Sequence, residues 1–204
     1  MCEQTIRDFV NDLSSDKPLG GGSACALVAA LASALGQMVG SLTVNKKKYA
    51  QNKEQLAELM TETETLTAKL LKGIEDDQKA FYPLSQAYKL NKDVCDREQL
   101  LQEGYKQAAL SPFSLLSNTA KVIDLLEKYA QLGSIIVLSD AATGAMLAHG
   151  ALYGEFINIM VNTVKIKDLN FKNEIENQAE LLLHTYSQKA MDIYIKVCER
   201  IKND

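Results

Sequence analysis

Gly20, Gly21, Gly22 and Ser23 stand together ahead of an uncharged run of small and apolar residues that ends at Lys46, Lys47 and Lys48. A glycine turn that opens a helix leaves first-turn amide groups without intrahelical acceptors, and those donors favour an anion. Three ammonium groups at the far end have the same preference, so an anionic ligand is the first expectation. The competing role for the lysines is a solvated helix end whose cations suit the negative pole of the helix dipole. The candidate acid-base groups are Asp140 and Asp77, carboxylates set beside apolar residues where desolvation raises a pKa towards neutrality. Asp140 is the main candidate and Asp77 the second, with a helix cap or an ion pair as the alternative role for Asp140. Asn158 and Asn162 share a helical face with Asp140, Gly144, Ala148 and Ala151. Asp140 and Asn158 are nonetheless about 27 Å apart on a straight helix, so they reach one small group only through a bend or a symmetry mate.

Other chemistries find less support. The glycine run lacks the spacing of a phosphate loop or a dinucleotide fingerprint, and no strand precedes it. His149 and His184 are isolated, and no set of residues has metal-ligand spacing, so no metal is expected. Cys2, Cys25, Cys95 and Cys198 are widely separated, as in reduced cytoplasmic proteins, and no signal peptide is read before Arg7 and Asp8. Cys25 falls in a first helical turn that favours a thiolate, but no histidine is linked to it. A net charge of -4 and lysines without interleaved aromatics argue against nucleic acid. Residues 18–45 carry no formal charge and precede lysines, as a membrane span does, but their alanine, glycine and serine content favours a buried helix.

The elements that must position these groups are helices. Over 23–44, Leu27, Leu31, Leu35, Met38 and Leu42 fall on one side and Ala29, Ser33, Gly36 and Gly40 on the other. Two glycines on one line predict close approach by a helix, a twofold mate or a flat ligand. Residues 50–72 form an amphipathic helix with Leu56, Leu59, Met60, Leu66 and Leu70 inward, continuing past Gly73 until Pro83 kinks or divides it. Residues 91–96 are a loop, and a helix over 98–109 is followed by another that Ser111 caps and Pro112 opens. Gly133 ends that helix. Residues 134–167 read as one long helix and 171–200 as the last. Fold class is all-α, a multihelical bundle of antiparallel helices in a single domain over 1–204.

Three blocks carry a resemblance: GGGSACALVAALASALGQMVGSLTVNKKKY at 20–49, DQKAF at 77–81 and GSIIVLSDAATGAMLAHGALYGEFINIMVNTVKIKD at 133–168. In order and content they resemble the formimidoyltetrahydrofolate cyclodeaminases and the stand-alone methenyltetrahydrofolate cyclohydrolases. The resemblance implies a cytoplasmic all-helical homodimer that acts on a tetrahydrofolate derivative, with no metal, nucleic acid or membrane partner. It implies either cyclodeamination of 5-formimidoyltetrahydrofolate in histidine degradation, the leading expectation, or hydrolysis of 5,10-methenyltetrahydrofolate. A folate-binding homologue without turnover and a helical scaffold are the other readings. Substrate-binding residues are then Gly20, Gly21, Gly22, Ser23, Lys46, Lys47, Lys48, Tyr49, Asn158 and Asn162. The chain departs from the family pattern at Pro18 and Leu19, where proline usually adjoins the glycines, and at Asn45, Ser134 and Glu155, the last standing where a small residue is common.

Overall fold

The computed structural model describes residues 4–17 and 19–203; Cys2 and Pro18, both weighed in the sequence, lie outside the described residues. Its helices are α1 (Ile6–Leu13), α2 (Gly21–Ser41), α3 (Lys53–Lys89), α4 (Arg97–Leu132), α5 (Leu138–Thr163) and α6 (Leu169–Asn203), with 3-10 turns at Lys47–Asn52 and Ile135–Val137. Helices α2, α3, α4 and α5 pack in a ring of alternating direction, and α6 lies in the groove between α4 and α5. The direction follows from the contacts. Ser23 of α2 meets Asp77 late in α3, Tyr129 late in α4 meets Thr63 early in α3, and Glu155 late in α5 meets Thr119 midway along α4.

The flat side of α2 is its inner side. Ala26, Ala29, Ala30, Ser33, Gly36 and Gly40 are buried, while Leu31, Met38 and Leu42 are 44–47% exposed. The reason is one aromatic residue. Tyr129 of α4 is fully buried with its hydroxyl bonded to Thr63, and its ring lies so close to α2 that a Cβ on Gly36 or Gly40 would stand 2.9 or 2.8 Å from it. Such contacts are shorter than carbon packing allows. The helix approach expected from the two glycines is therefore a ring seated against backbone. Helix α5 repeats the arrangement, burying Ala141, Ala145, Ala148, Ala151 and Leu152 and exposing Tyr153, Ile157 and Val161, with Val164 exposed at its C-cap.

Several boundaries differ from the sequence reading. Pro83 lies inside α3, which continues past it to Lys89. Ser111 and Pro112 open no new helix; α4 runs through them unbroken. Proline removes its own N–H, which orphans the carbonyl four residues earlier. Here that carbonyl, on Ala108, accepts a hydrogen bond from Asn162 of α5 at 3.1 Å, so a neighbour repairs the gap and the helix persists. The break at Gly133 holds, but α5 begins only at Leu138 because a 3-10 turn comes first. The first helix, α1, was not anticipated; its signal is Thr5, whose hydroxyl accepts from the Asp8 amide as an N-cap.

Candidate functional site

Where α2 begins, α3 and α5 bring their own polar groups to it. Gly20, with an extended backbone, is the N-cap position of α2 and offers no side chain, so the first-turn amides depend on other elements. Asp77 of α3 supplies the partner. Its carboxylate accepts from the Ser23 hydroxyl at 3.2 Å and from the Ser23 amide, and on its other oxygen from Ser111 of α4 at 3.4 Å. Burial raises the Asp77 pKa above the usual carboxylate value, and these hydrogen bonds pull against it without cancelling the effect. Gly22 is the position that admits this carboxylate: a Cβ there would meet Oδ1 and Oδ2 at 2.5 and 2.6 Å.

A cleft of about 230 Å³ opens in front of this group. Its polar lining includes Gly20, Gly21, Gly22, Asp77, Asn158 and Asn162, and Leu19, Phe81, Pro112 and Val161 form apolar walls. The asparagines are firmly oriented. Asn158 donates to the Gly154 carbonyl at 2.7 Å, and Asn162 donates to the Asn158 carbonyl at 2.8 Å as well as to Ala108. Their nitrogens face helix carbonyls, which leaves the side-chain oxygens as the groups free to accept from a ligand. A small cleft with flat apolar sides, one protonatable carboxyl and amide-type donors and acceptors suits proton transfer on a flat heteroaromatic molecule.

The remaining candidates lie at the opposite end of the bundle. Helix α2, 21 residues long, separates Gly21 from the lysines by about 30 Å. There Lys46 donates to the Ser134 hydroxyl at 3.0 Å, the Ile135 amide donates to the Tyr49 hydroxyl at 3.3 Å, and Lys47 and Lys48 are exposed. The Tyr49 pKa is lowered, first by the Ile135 amide, then by Ser134, with Lys48 and Lys46 adding to it. Asp140 belongs to this end, half-buried in the first turn of α5 and about 27 Å from Asn158. Within one chain the fold thus brings Asp77, the glycines, Ser23 and the asparagines together, and keeps Asp140, the lysines and Tyr49 apart from them. Of the two candidate carboxylates, Asp77 lines the cleft and Asp140 does not.

Cleft residues missed in the sequence are Lys17, Leu19, Gln78, Phe81, Ala108, Pro112 and Val161. For Phe81 a signal existed, since Asp77 and Phe81 are four apart and share a helical face. Pro112 and Ala108 had none, because only the packing of α4 against α5 places them. The thiolate favoured for Cys25 is not realised: burial, aided by Glu155 and Asp77, pushes its pKa up to about 12. Among the described residues no group of three His, Cys, Asp or Glu side chains is placed to hold a metal ion.

Similarity to known proteins agrees with this geometry. The family model for formiminotransferase-cyclodeaminase matches residues 5–181. The methenyltetrahydrofolate cyclohydrolase of Methylorubrum extorquens is 34% identical over 185 residues, covering 88% of this chain and 89% of the relative. The rat formimidoyltransferase-cyclodeaminase is 28% identical over 195 residues, and there this chain matches only 36% of the longer protein. The solved structure of formiminotetrahydrofolate cyclodeaminase from Thermotoga maritima superimposes with a TM-score of 0.84 at 26% identity, covering 96% of this chain and 98% of that one. The chain is therefore a member of the formiminotransferase-cyclodeaminase family.

Proposed function

We propose that this protein is a tetrahydrofolate one-carbon enzyme that cyclises 5-formimidoyltetrahydrofolate to 5,10-methenyltetrahydrofolate and releases ammonia, with Asp77 moving the proton. The observation that carries this reading is the Asp77 carboxyl, desolvated yet held by Ser23 and Ser111 at the floor of the glycine cleft. When N10 attacks the formimidoyl carbon, the N10 proton must leave and the departing amine must gain one. A carboxyl with a raised pKa exchanges both. Phe81, Pro112 and Val161 provide flat contacts for the pterin, and the amides of Gly21 and Gly22 together with the oxygens of Asn158 and Asn162 provide its hydrogen-bond partners. A second reading, hydrolysis of the methenyl compound with Asp77 accepting the proton of water, is favoured by the relative matched over 89% of its length at 34% identity. Both reactions share one tetrahedral carbon.

The second cluster enters through a homodimer. Helices α2 and α5 are each long and apolar enough to cross a membrane, yet half of each is packed inside the bundle. Their outer faces, Leu31 and Met38 on α2 with Leu42 just beyond it, and Tyr153, Ile157 and Val161 on α5 with Val164 just beyond it, carry no charge and run up to the cleft at Val161. A second copy rather than lipid covers this surface, in a cytoplasmic enzyme with no nucleic-acid partner. Twofold packing of antiparallel helices sets the Gly21 end of one α2 beside the Lys46 end of the other. Lys46, Lys47, Lys48 and Tyr49 of the mate then meet the anionic glutamate tail of the folate. Supplying 5-formimidoyl and 5,10-methenyl substrates separately and following the methenyl chromophore distinguishes the activities. Formation of the chromophore with ammonia release supports cyclodeamination, loss of it supports hydrolysis, and inertness towards both refutes the enzymatic reading.

A further inference from the structure

Helices α3 and α4 run antiparallel, and a glycine on each brings them close. A Cβ on Gly73 of α3 would stand 2.5 Å from the Leu115 side chain of α4, and a Cβ on Gly104 of α4 would stand 3.0 Å from the Leu84 backbone of α3. Between these two contacts, in the same register, Asp77 of α3 faces Ser111 of α4, whose hydroxyl donates to Oδ1 at 3.4 Å. The seam separates two openings, because neighbouring residues go to opposite sides of it. Asp77, Ala108 and Pro112 line the cleft, whereas Asp76, Gln107 and Ser111 line a groove of about 440 Å³. Asp76 and Gln107 are exposed, so the groove meets solvent, and its polar walls admit water. Ser111 thus touches the Asp77 carboxyl on one side and lines a wet groove on the other.

Both folate reactions require a proton to enter or leave the site. Water attack on the methenyl cation gives a neutral formyl group and sets one proton free, and cyclisation of a neutral formimidoyl group to the methenyl cation and ammonia takes one up. A folate seated in the cleft covers the open side of Asp77. We propose that Ser111 is a positioning residue that acts through Asp77, connecting its carboxyl to water in the groove while the cleft is filled. To discharge Asp77, the proton on Oδ1 passes to the Ser111 oxygen as the Ser111 hydroxyl proton passes to groove water. The carboxylate is left ionised, the hydroxyl neutral and the water protonated; the reverse transfer reloads the acid. A hydroxyl serves both directions because it carries one donor and two acceptor lone pairs. The effect on turnover rests on the folate reading above, whereas the contact between Ser111 and Asp77 does not.

The test compares S111V with S111T in the full chain, two branched side chains of one shape of which only threonine keeps the hydroxyl. With either folate substrate, S111V lowers kcat several-fold at unchanged KM, since Ser111 lines the groove and not the cleft, and S111T keeps most of the rate. S111A stands in where S111V fails to fold, and imidazole, a diffusible proton carrier, recovers its rate. Carboxyl-carbon NMR, with D77N assigning the signal, reads the contact without substrate. Lys17 lines the cleft, Cys25 of α2 feels the carboxylate, and Lys72 and Asp76 pair at 3.8 Å on the groove side, while α4 and α5 face Asp77 with Ser111, Asn158 and Asn162, which do not ionise. All of these are common to both variants. Loss of the hydroxyl in S111V removes a donor to the ionised form and raises the Asp77 pKa above that in S111T. Equal rates in S111V and S111T, an S111A rate that imidazole leaves unchanged, or one Asp77 titration for both variants overturns the proposal. A chain that turns over neither folate contradicts the folate reading and ends the role in turnover with it, while the titration still decides the contact.

Discussion

The residues that do the chemistry are set by space as much as by type. Gly22 makes room for the Asp77 carboxylate, whereas nothing lies within 4 Å of a Cβ added at Gly20. Gly22→Ala should displace Asp77 and lower kcat by about tenfold or more, a share of what a positioned acid-base group contributes, while Gly20→Ala stays near the original rate; steady-state kinetics beside thermal melts test the contrast. Glu155 gives a pH signature. Its folded pKa of about 8 lies above the unfolded value of 4.5, so the stabilisation from binding its proton is complete below pH 4.5 and is lost as pH rises through 8. Denaturant unfolding should show stability falling across that interval, with E155Q flattening the slope. Three of the polar residues singled out in the sequence, Asp77, Asn158 and Asn162, line the cleft, and Asp140 does not. Sequence could not order the aspartates, because desolvation depends on what packs over each one. Asp140 sits in a first helical turn where a carboxylate serves the dipole, and Asp77 sits under Ser23 and Ser111.

Helices were legible where their apolar spacing was regular, and misread where a neighbouring helix compensates for a breaker. Pro112 is the clearest case. Local rules end a helix there, yet Asn162 fills the acceptor that proline leaves empty. This makes Asn162 a structural partner of α4 as well as a cleft residue, and the two roles can be separated. Asn162→Ala leaves the Ala108 carbonyl unsatisfied and should cost about 1–3 kcal/mol. Pro112→Ala restores an N–H for that carbonyl, so the double variant should lose less than the two single changes added together; a double-mutant cycle in urea measures the difference. Likewise, the two faces of α2 were read correctly from spacing, but which one faced inward was not. Only the position of Tyr129 against Gly36 and Gly40 decides that.

At the scale of the whole molecule, the candidate residues form two clusters at opposite ends of α2, a separation the sequence implied through the 27 Å between Asp140 and Asn158. The dimer reading makes a definite forecast. If each site takes its glycine cleft from one chain and its lysines from the other, D77N and the triple Lys46, Lys47, Lys48→Gln variant are each impaired alone. Mixed dimers of the two contain one intact site, so co-refolding them should recover activity, and two chains that never complement would contradict a site shared between subunits. The central claim is that Asp77, rather than Asp140, moves the proton. The most direct measurement is single-turnover formation or loss of methenyltetrahydrofolate by D77N and D140N, with folate affinity determined on the same samples. The account predicts a rate about 100-fold or more lower for D77N at nearly unchanged affinity, and a less than tenfold loss for D140N. A folded D77N protein that keeps most of its rate, or a D140N protein that loses as much as D77N was expected to, would contradict it.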